Sequence, residues 1–82
     1  MRKVHRLPKF NHEYGRLPNK LQNLVDRKLH LLGDDPHHPS LHTHKRRGEQ
    51  DTWQARVNIS YRITFVMEGD AIYLLSVHPH EK

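Results

Sequence analysis

The chain has no cysteine in its 82 residues, which excludes disulfides and thiolate metal sites and removes any sign of an oxidising compartment. No run approaches the roughly 20 apolar residues that a membrane-spanning helix needs. The opening Met1-Arg2-Lys3-Val4-His5-Arg6 is charged but has no apolar stretch behind it, so it does not read as a signal peptide, and a cytoplasmic location is the expectation. Acidic residues are also scarce. Nine Asp and Glu against fourteen Lys and Arg leave a net charge of +5, with nine histidines besides. Such an excess in so short a chain points to a polyanionic partner, either nucleic acid or an acidic protein.

Four glycines and five prolines are too few for a linker, and no internal repeat divides the chain, so residues 1–82 are expected to form a single domain. A domain of this size builds one modest core and has a stability of roughly 4–12 kcal/mol.

The first half carries helical periodicity. Phe10, Tyr14 and Leu17 recur at helical spacing after Pro8, and Gly15 and Pro18 end that short helix. Pro18 can also open the next, where Leu21, Leu24, Val25, Leu31 and Leu32 form a stripe and Gly33 is the candidate C-terminal cap. Lys28 lies within the stripe and must extend its charge to water. Asp34-Asp35-Pro36-His37-His38-Pro39 reads as a loop.

From Leu41 onward the period becomes two. Trp53, Ala55 and Val57 alternate with Gln54 and Arg56; Tyr61, Ile63, Phe65 and Met67 alternate with Arg62, Thr64 and Val66; and Tyr73, Leu75 and Val77 alternate with Leu74, Ser76 and His78. A short opening strand near Val4–Leu7 completes the set. If 58–60 and 68–70 are three-residue hairpin loops, Val57 pairs with Tyr61 and Met67 with Ala71, and all the residues of these three alternations share one face. The expected fold is α+β: an N-terminal helical hairpin packed on one face of an antiparallel β-sheet. Trp53, Tyr61, Phe65 and Tyr73 are then packing residues rather than base-stacking ones.

The same register places Arg56 directly across from Arg62, with His78 and His80 on that side. Like charges in this position repel unless an anion sits between them, so the pair invites a phosphate. Each arginine could instead pair with a carboxylate such as Glu49 or Glu81. Lys45, Arg46 and Arg47 form a basic cluster suited to an RNA backbone, although a charge run is also compatible with a solvated turn. His42 and His44, or His78 and His80, are alternate residues that could place two imidazoles on one face, with His37 or His38 nearby. They lack any fixed zinc spacing, and neither a metal nor another cofactor is expected.

The stretches His38-Pro39-Ser40-Leu41, Lys45, Trp53-Gln54-Ala55-Arg56-Val57, Tyr61-Arg62-Ile63, Gly69-Asp70 and Val77-His78-Pro79-His80-Glu81 together resemble the RelE/ParE superfamily over nearly the whole chain. That resemblance implies the toxin of a type II toxin–antitoxin system, held inactive by a cognate antitoxin. RelE-like members cleave messenger RNA on the ribosome, whereas ParE-like members inhibit DNA gyrase. By resemblance Arg62 is the position tied to activity. The family's terminal glycine–histidine–aspartate pattern is replaced here by His78-Pro79-His80-Glu81, and the terminal tyrosine segment of some RelE-like nucleases does not follow Lys82. An inactive antitoxin-binding relative therefore stands beside the two active classes.

Metal-independent RNA cleavage uses the substrate's own 2′-hydroxyl as nucleophile. It needs a base for that proton, cations for the phosphate and an acid for the leaving 5′-oxygen. Arg62 and then Arg56 are the candidate phosphate binders, because a guanidinium fork holds two oxygens and stays charged. His80, with His78 as its substitute, is the candidate proton carrier.

Overall fold

The computed structural model describes residues 2–46, 48 and 51–80. The order is β1 (Lys3–Arg6), α1 (Pro8–Gly15), α2 (Asn19–Asp34), a 3-10 turn (Pro39–Leu41), β2 (His44–Lys45), β3 (Thr52–Arg56), β4 (Tyr61–Glu68) and β5 (Ala71–Pro79). The five strands form one sheet in the order β1-β5-β4-β3-β2. Neighbouring strands are antiparallel except β1, which runs parallel to β5. The expected sheet is thus mixed at one edge. A parallel pair needs a long crossover, and the helices and three strands between β1 and β5 supply it.

Pro8 occupies the first turn of α1, where its missing N–H costs nothing. Pro18 precedes α2, and its carbonyl accepts the Leu21 and Gln22 N–H groups. The Gln22 side-chain amide donates to Tyr14 O at 2.9 Å, so the second helix closes the end of the first. Phe10 from α1 and Val25, Leu29 and Leu32 from α2 are buried against Ala55, Val57, Ile63, Phe65, Ile72, Leu74 and Val77 of the sheet side. Leu29 was absent from the sequence stripe yet belongs to this core. Gly33 is not a cap. The helix continues to Asp34, and Gly33 lies under β1, where its carbonyl accepts the Arg2 N–H and a Cβ would meet Val4 at 3.4 Å.

The β3–β4 register agrees with the sequence argument: Trp53 pairs with Phe65, Ala55 with Ile63 and Arg56 with Arg62. Val57 N–H donates to Tyr61 O at 3.0 Å, and Asn58 Oδ1 accepts the Ser60 and Tyr61 N–H groups inside the loop. The β4–β5 register differs. Glu68 pairs with Ala71 across a two-residue turn, Gly69-Asp70, with Gly69 at φ 59°. A positive φ at the first central residue suits a type II′ hairpin turn, which favours glycine there. Phe65 therefore faces Leu74 and Met67 faces Ile72. An irregularity between Thr64 and Phe65 adds one residue to β5, so that Thr64 meets Ser76 and Ile63 meets Val77. Tyr73 and Leu75, expected in the core, lie on the opposite face, and Ile72 and Leu74 are buried in their place.

A polar clasp ties β1 to both helices. The Tyr14 hydroxyl donates to Asp26 Oδ1 at 2.7 Å, and Arg6 reaches the same carboxylate oxygen at 3.6 Å while its guanidinium lies 4.7 Å from the Tyr14 ring centroid. The bond to Asp26, with burial adding to it, raises the Tyr14 phenol above its ordinary value, against a smaller opposing effect of Arg6. A folded-state value above the unfolded one gives stability that is complete below about pH 10 and fades as pH rises through the folded value. Tyr14→Phe should lower stability at neutral pH and flatten that alkaline decline, as read from urea midpoints at pH 8 to 11. An unaltered alkaline slope in the variant would show that the clasp does not couple to folding.

The shifted β5 register has its own check. Leu74→Ala should cost about 2–5 kcal/mol by emptying a fully buried site, as Phe65→Ala should cost about 3–5 kcal/mol. Leu75→Ala should cost clearly less than Leu74→Ala in the same urea titration. The reverse order would restore the three-residue turn at 68–70, with Leu75 opposite Ile63.

Candidate nucleic-acid interface

On the sheet face away from α2, strand alternation collects Gln54 and Arg56 from β3, Arg62 and Thr64 from β4, and Ser76 and His78 from β5. Arg62 is the hub, paired with Arg56 on one side and His78 on the other. Thr64, Leu75, Ser76, His78 and Pro79 line an open cavity of about 510 Å³, closed by Arg46 and by Lys9 and Glu13 of α1.

Arg62 is 6% exposed and is not a free cation. Its Nη1 donates to Asn58 O at 2.6 Å and Tyr61 O at 3.0 Å, with Ile59 O at 3.4 Å. Two carbonyls of the β3–β4 loop and that of Tyr61 at the start of β4 thus converge on one guanidinium nitrogen. Burial, and then the charge of Arg56, lower the Arg62 pKa from its ordinary value. Arg56 differs. It is half-buried, and its Nε is enclosed with no hydrogen-bond partner among the described residues. An unsatisfied buried donor beside a second cation is a place where an anion would gain contacts. The suggested carboxylate partners Glu49 and Glu81 lie outside the described residues.

His78 is held at both nitrogens. Nδ1 lies 2.9 Å from Pro79 O, and Nε2 lies 2.7 Å from Thr64 Oγ1. A carbonyl can only accept, so Nδ1 carries the proton, and in the neutral ring Nε2 accepts from the threonine hydroxyl. Arg46 Nη1 donates to Thr64 Oγ1 at 3.4 Å, extending the chain from guanidinium to hydroxyl to imidazole. His80 is exposed just beyond β5, on the same face by alternation, and its backbone N–H donates to Ser60 O at 2.7 Å.

The basic cluster is divided. Arg46 joins the site, but Lys45 pairs with Trp53 and places its ammonium 5.7 Å from that indole centroid, on the other side of the sheet. Arg47 lies outside the described residues. The HxH pairs do not combine either. His42 sits in the left-handed region at φ 48°, before β2, and its carbonyl faces His44 Nδ1 at 3.0 Å. Among the described residues no group of three or more metal-ligating side chains occurs.

Sequence reasoning missed Glu13. β1 ends at Arg6, so the β5 edge beyond Leu74 has no strand beside it; α1 fills the gap. Glu13 Oε1 accepts from Ser76 Oγ at 2.7 Å and from the Val77 N–H at 3.2 Å. No local pattern around Glu13 reports this, because the unpaired N–H it satisfies is 64 residues away.

No family model and no curated protein matches the chain. Solved structures do. A YoeB/ParE toxin from Agrobacterium tumefaciens superposes with a TM-score of 0.81 at 12% identity, covering 96% of this chain and 99% of that one. The intact E. coli RelBE toxin–antitoxin complex contains a chain with a TM-score of 0.79 at 18% identity, each covered over 100%. The RelE–RelB complex of Pyrococcus horikoshii matches with a TM-score of 0.79 at 18% identity, over 95% of this chain and 93% of that one.

Arg62→Ala should cost about 1.5–3 kcal/mol by leaving loop carbonyls without their charged donor. Arg56→Ala should be close to neutral, since it removes a repulsive neighbour. Urea unfolding of the two variants measures the difference, and equal losses would contradict the separate roles. With two helices on a five-stranded mixed sheet and these superpositions, the chain has the fold of the RelE/ParE superfamily of toxins.

Proposed function

We propose that this chain is the toxin of a toxin–antitoxin pair and acts in the cytoplasm as a ribosome-dependent mRNA endonuclease. The observation that carries the proposal is Arg56, whose Nε has no hydrogen-bond partner among the described residues, beside Arg62, which on its other side pairs with a histidine whose Nε2 lone pair faces a hydroxyl. A phosphodiester on this face meets cations and a proton acceptor together, and the chemistry needs no metal.

Arg56 binds the phosphate. Arg62 holds the β3–β4 loop and adds positive potential from below. A substrate 2′-hydroxyl replaces Thr64 as the donor to His78 Nε2, loses its proton there and attacks the adjacent phosphorus. The bond to the 5′-oxygen breaks, and His80 protonates that leaving oxygen. The products are a 2′,3′-cyclic phosphate and a 5′-hydroxyl end. Arg46 holds Thr64 through its hydroxyl in the free protein, and that hydroxyl orients the imidazole until the substrate takes its place.

The cognate antitoxin would set carboxylates or apolar side chains over Arg56 and Arg62. A segment that folds on binding would bury on the order of 1,200–2,000 Å². Two of the structural neighbours are complexes, the RelE–RelB complex of Pyrococcus horikoshii and the E. coli RelBE toxin–antitoxin complex, which supports an antitoxin as the partner.

The ParE-like alternative, gyrase inhibition, needs no proton carrier and would leave the His78 arrangement without use. An antitoxin-binding relative without activity would tolerate loss of Arg56. Induced expression followed by mapping of RNA 5′-ends, with and without translating ribosomes, separates the three. Arg56→Ala should slow cleavage by about 10²–10³-fold while circular dichroism stays native, and Arg56→Lys should not restore it. No new RNA ends but stabilised gyrase–DNA cleavage complexes would move the chain to the gyrase class. Neither outcome, with antitoxin binding retained, would leave the inactive relative.

A further inference from the structure

The added residue in β5 puts Ser76 and His78 on the sheet face that the Gly69-Asp70 turn has already given Tyr73, the face of Thr64. Tyr73 pairs with Val66 on β4 and, in parallel register, with His5 on β1. The His5 and Tyr73 rings stack at 5.0 Å between centroids with 19° between planes. His5 is exposed and Tyr73 half-buried. The pair borders the cavity, because Leu75 and Thr64, each two residues from Tyr73 or its partner Val66, line its wall. Val66 stands about 7 Å from Thr64 along β4, two residues at roughly 3.4 Å each. A strand of RNA with its phosphate at Arg56 and its ribose at His78 would pass over this pair next. Lys3, one β1 residue on the same face beyond His5, is exposed and cationic.

We infer that the His5–Tyr73 stack is a nucleobase platform, a subsite that holds a base of the single-stranded RNA flanking the scissile phosphate. The inference rests on the nuclease reading above and adds to it how the strand is held. A cross-strand stack alone would stabilise β1 on β5 without asking for solvent access. Here the exposed outer ring is the histidine, and the pair shares a face with the cationic site. Stacking is tolerant of base identity, since every base has a π-face, so the subsite would favour having a base over having a particular one.

The test compares a labelled single-stranded RNA hexamer with an abasic hexamer of equal length, both binding the intact protein at fixed salt. The wild type should bind the base-bearing hexamer roughly 5- to 150-fold more tightly, the range given by one base stacking on an aromatic platform. His5→Ala with Tyr73→Thr should erase that preference and leave abasic binding unchanged, whereas Tyr73→Phe should keep it. Thermal unfolding of each variant separates lost stacking from lost folding, and His5→Ala alone, at an exposed position, gives a second variant that retains the core. Equal binding of the two hexamers by the wild type would overturn the platform and leave the phosphate site standing. Failure of both to bind would overturn the platform and the RNA reading together. A preference that survives in the double variant would place the base elsewhere.

Discussion

One extra residue in β5 governs the arrangement of the site. From Ala71 to Leu74 the strand follows the register set by the Gly69-Asp70 turn, and from Ser76 onward it follows a register one residue later. Without the shift, Ser76 would lie across from Ile63 in the core and Val77 would point to the other face. With it, Ile72, Leu74 and Val77 are all buried, and Tyr73, Ser76 and His78 share the face that carries Arg56 and Arg62. Such insertions bend a strand and re-aim its side chains, and here the strand is flanked on both sides. The shift also turns the Val77 N–H to an edge that β1 is too short to cover, where Glu13 accepts it.

The charge of Arg62 is held by backbone carbonyls, with no carboxylate bonded to it among the described residues. Arg62 is buried yet remains a cation because two carbonyls of a short loop and that of Tyr61 surround one of its nitrogens. Burying a charge without partners is costly, and a cluster of carbonyl dipoles offsets that cost without neutralising the site. Had a carboxylate done so, a phosphate would have had to displace it. Arg56 keeps an unsatisfied donor against this fixed positive background. Stability and anion affinity are thereby separated between two adjacent arginines, one buried and anchored to the loop and one only half-buried.

Much of this was legible in the chain. The Phe10, Tyr14 and Leu17 spacing and the Pro8 and Pro18 boundaries determined two helices. The alternation around Trp53 and Phe65 determined β3 and β4, and a three-residue loop brought Arg56 opposite Arg62. The turn at Gly69-Asp70 carried a signal too, since glycine in the first central position reads as a two-residue type II′ hairpin. The break in period from Ile72 and Leu74 to Val77 marks the added residue. Alternation counted from Tyr73 and Leu75 hides both, because β5 is apolar at nearly every position between Ala71 and Val77.

What the sequence determined by itself was local: where helices begin, which residues alternate, and which arginines a short hairpin sets side by side, because each depends on backbone geometry over a few residues. Tertiary structure alone decided the rest. Glu13 meets Val77 because β1 stops at Arg6 and α1 must complete the sheet edge. Gly33 gives room to a strand thirty residues earlier rather than ending a helix. Lys45 and Arg46, neighbours in the chain, part to opposite faces of the sheet. Arg62 becomes an anchored cation only when a loop folds its carbonyls inward. In each case the deciding contact joins groups brought together by packing, where an unpaired backbone donor or a buried charge must find a partner, and no local spacing says which one it will be.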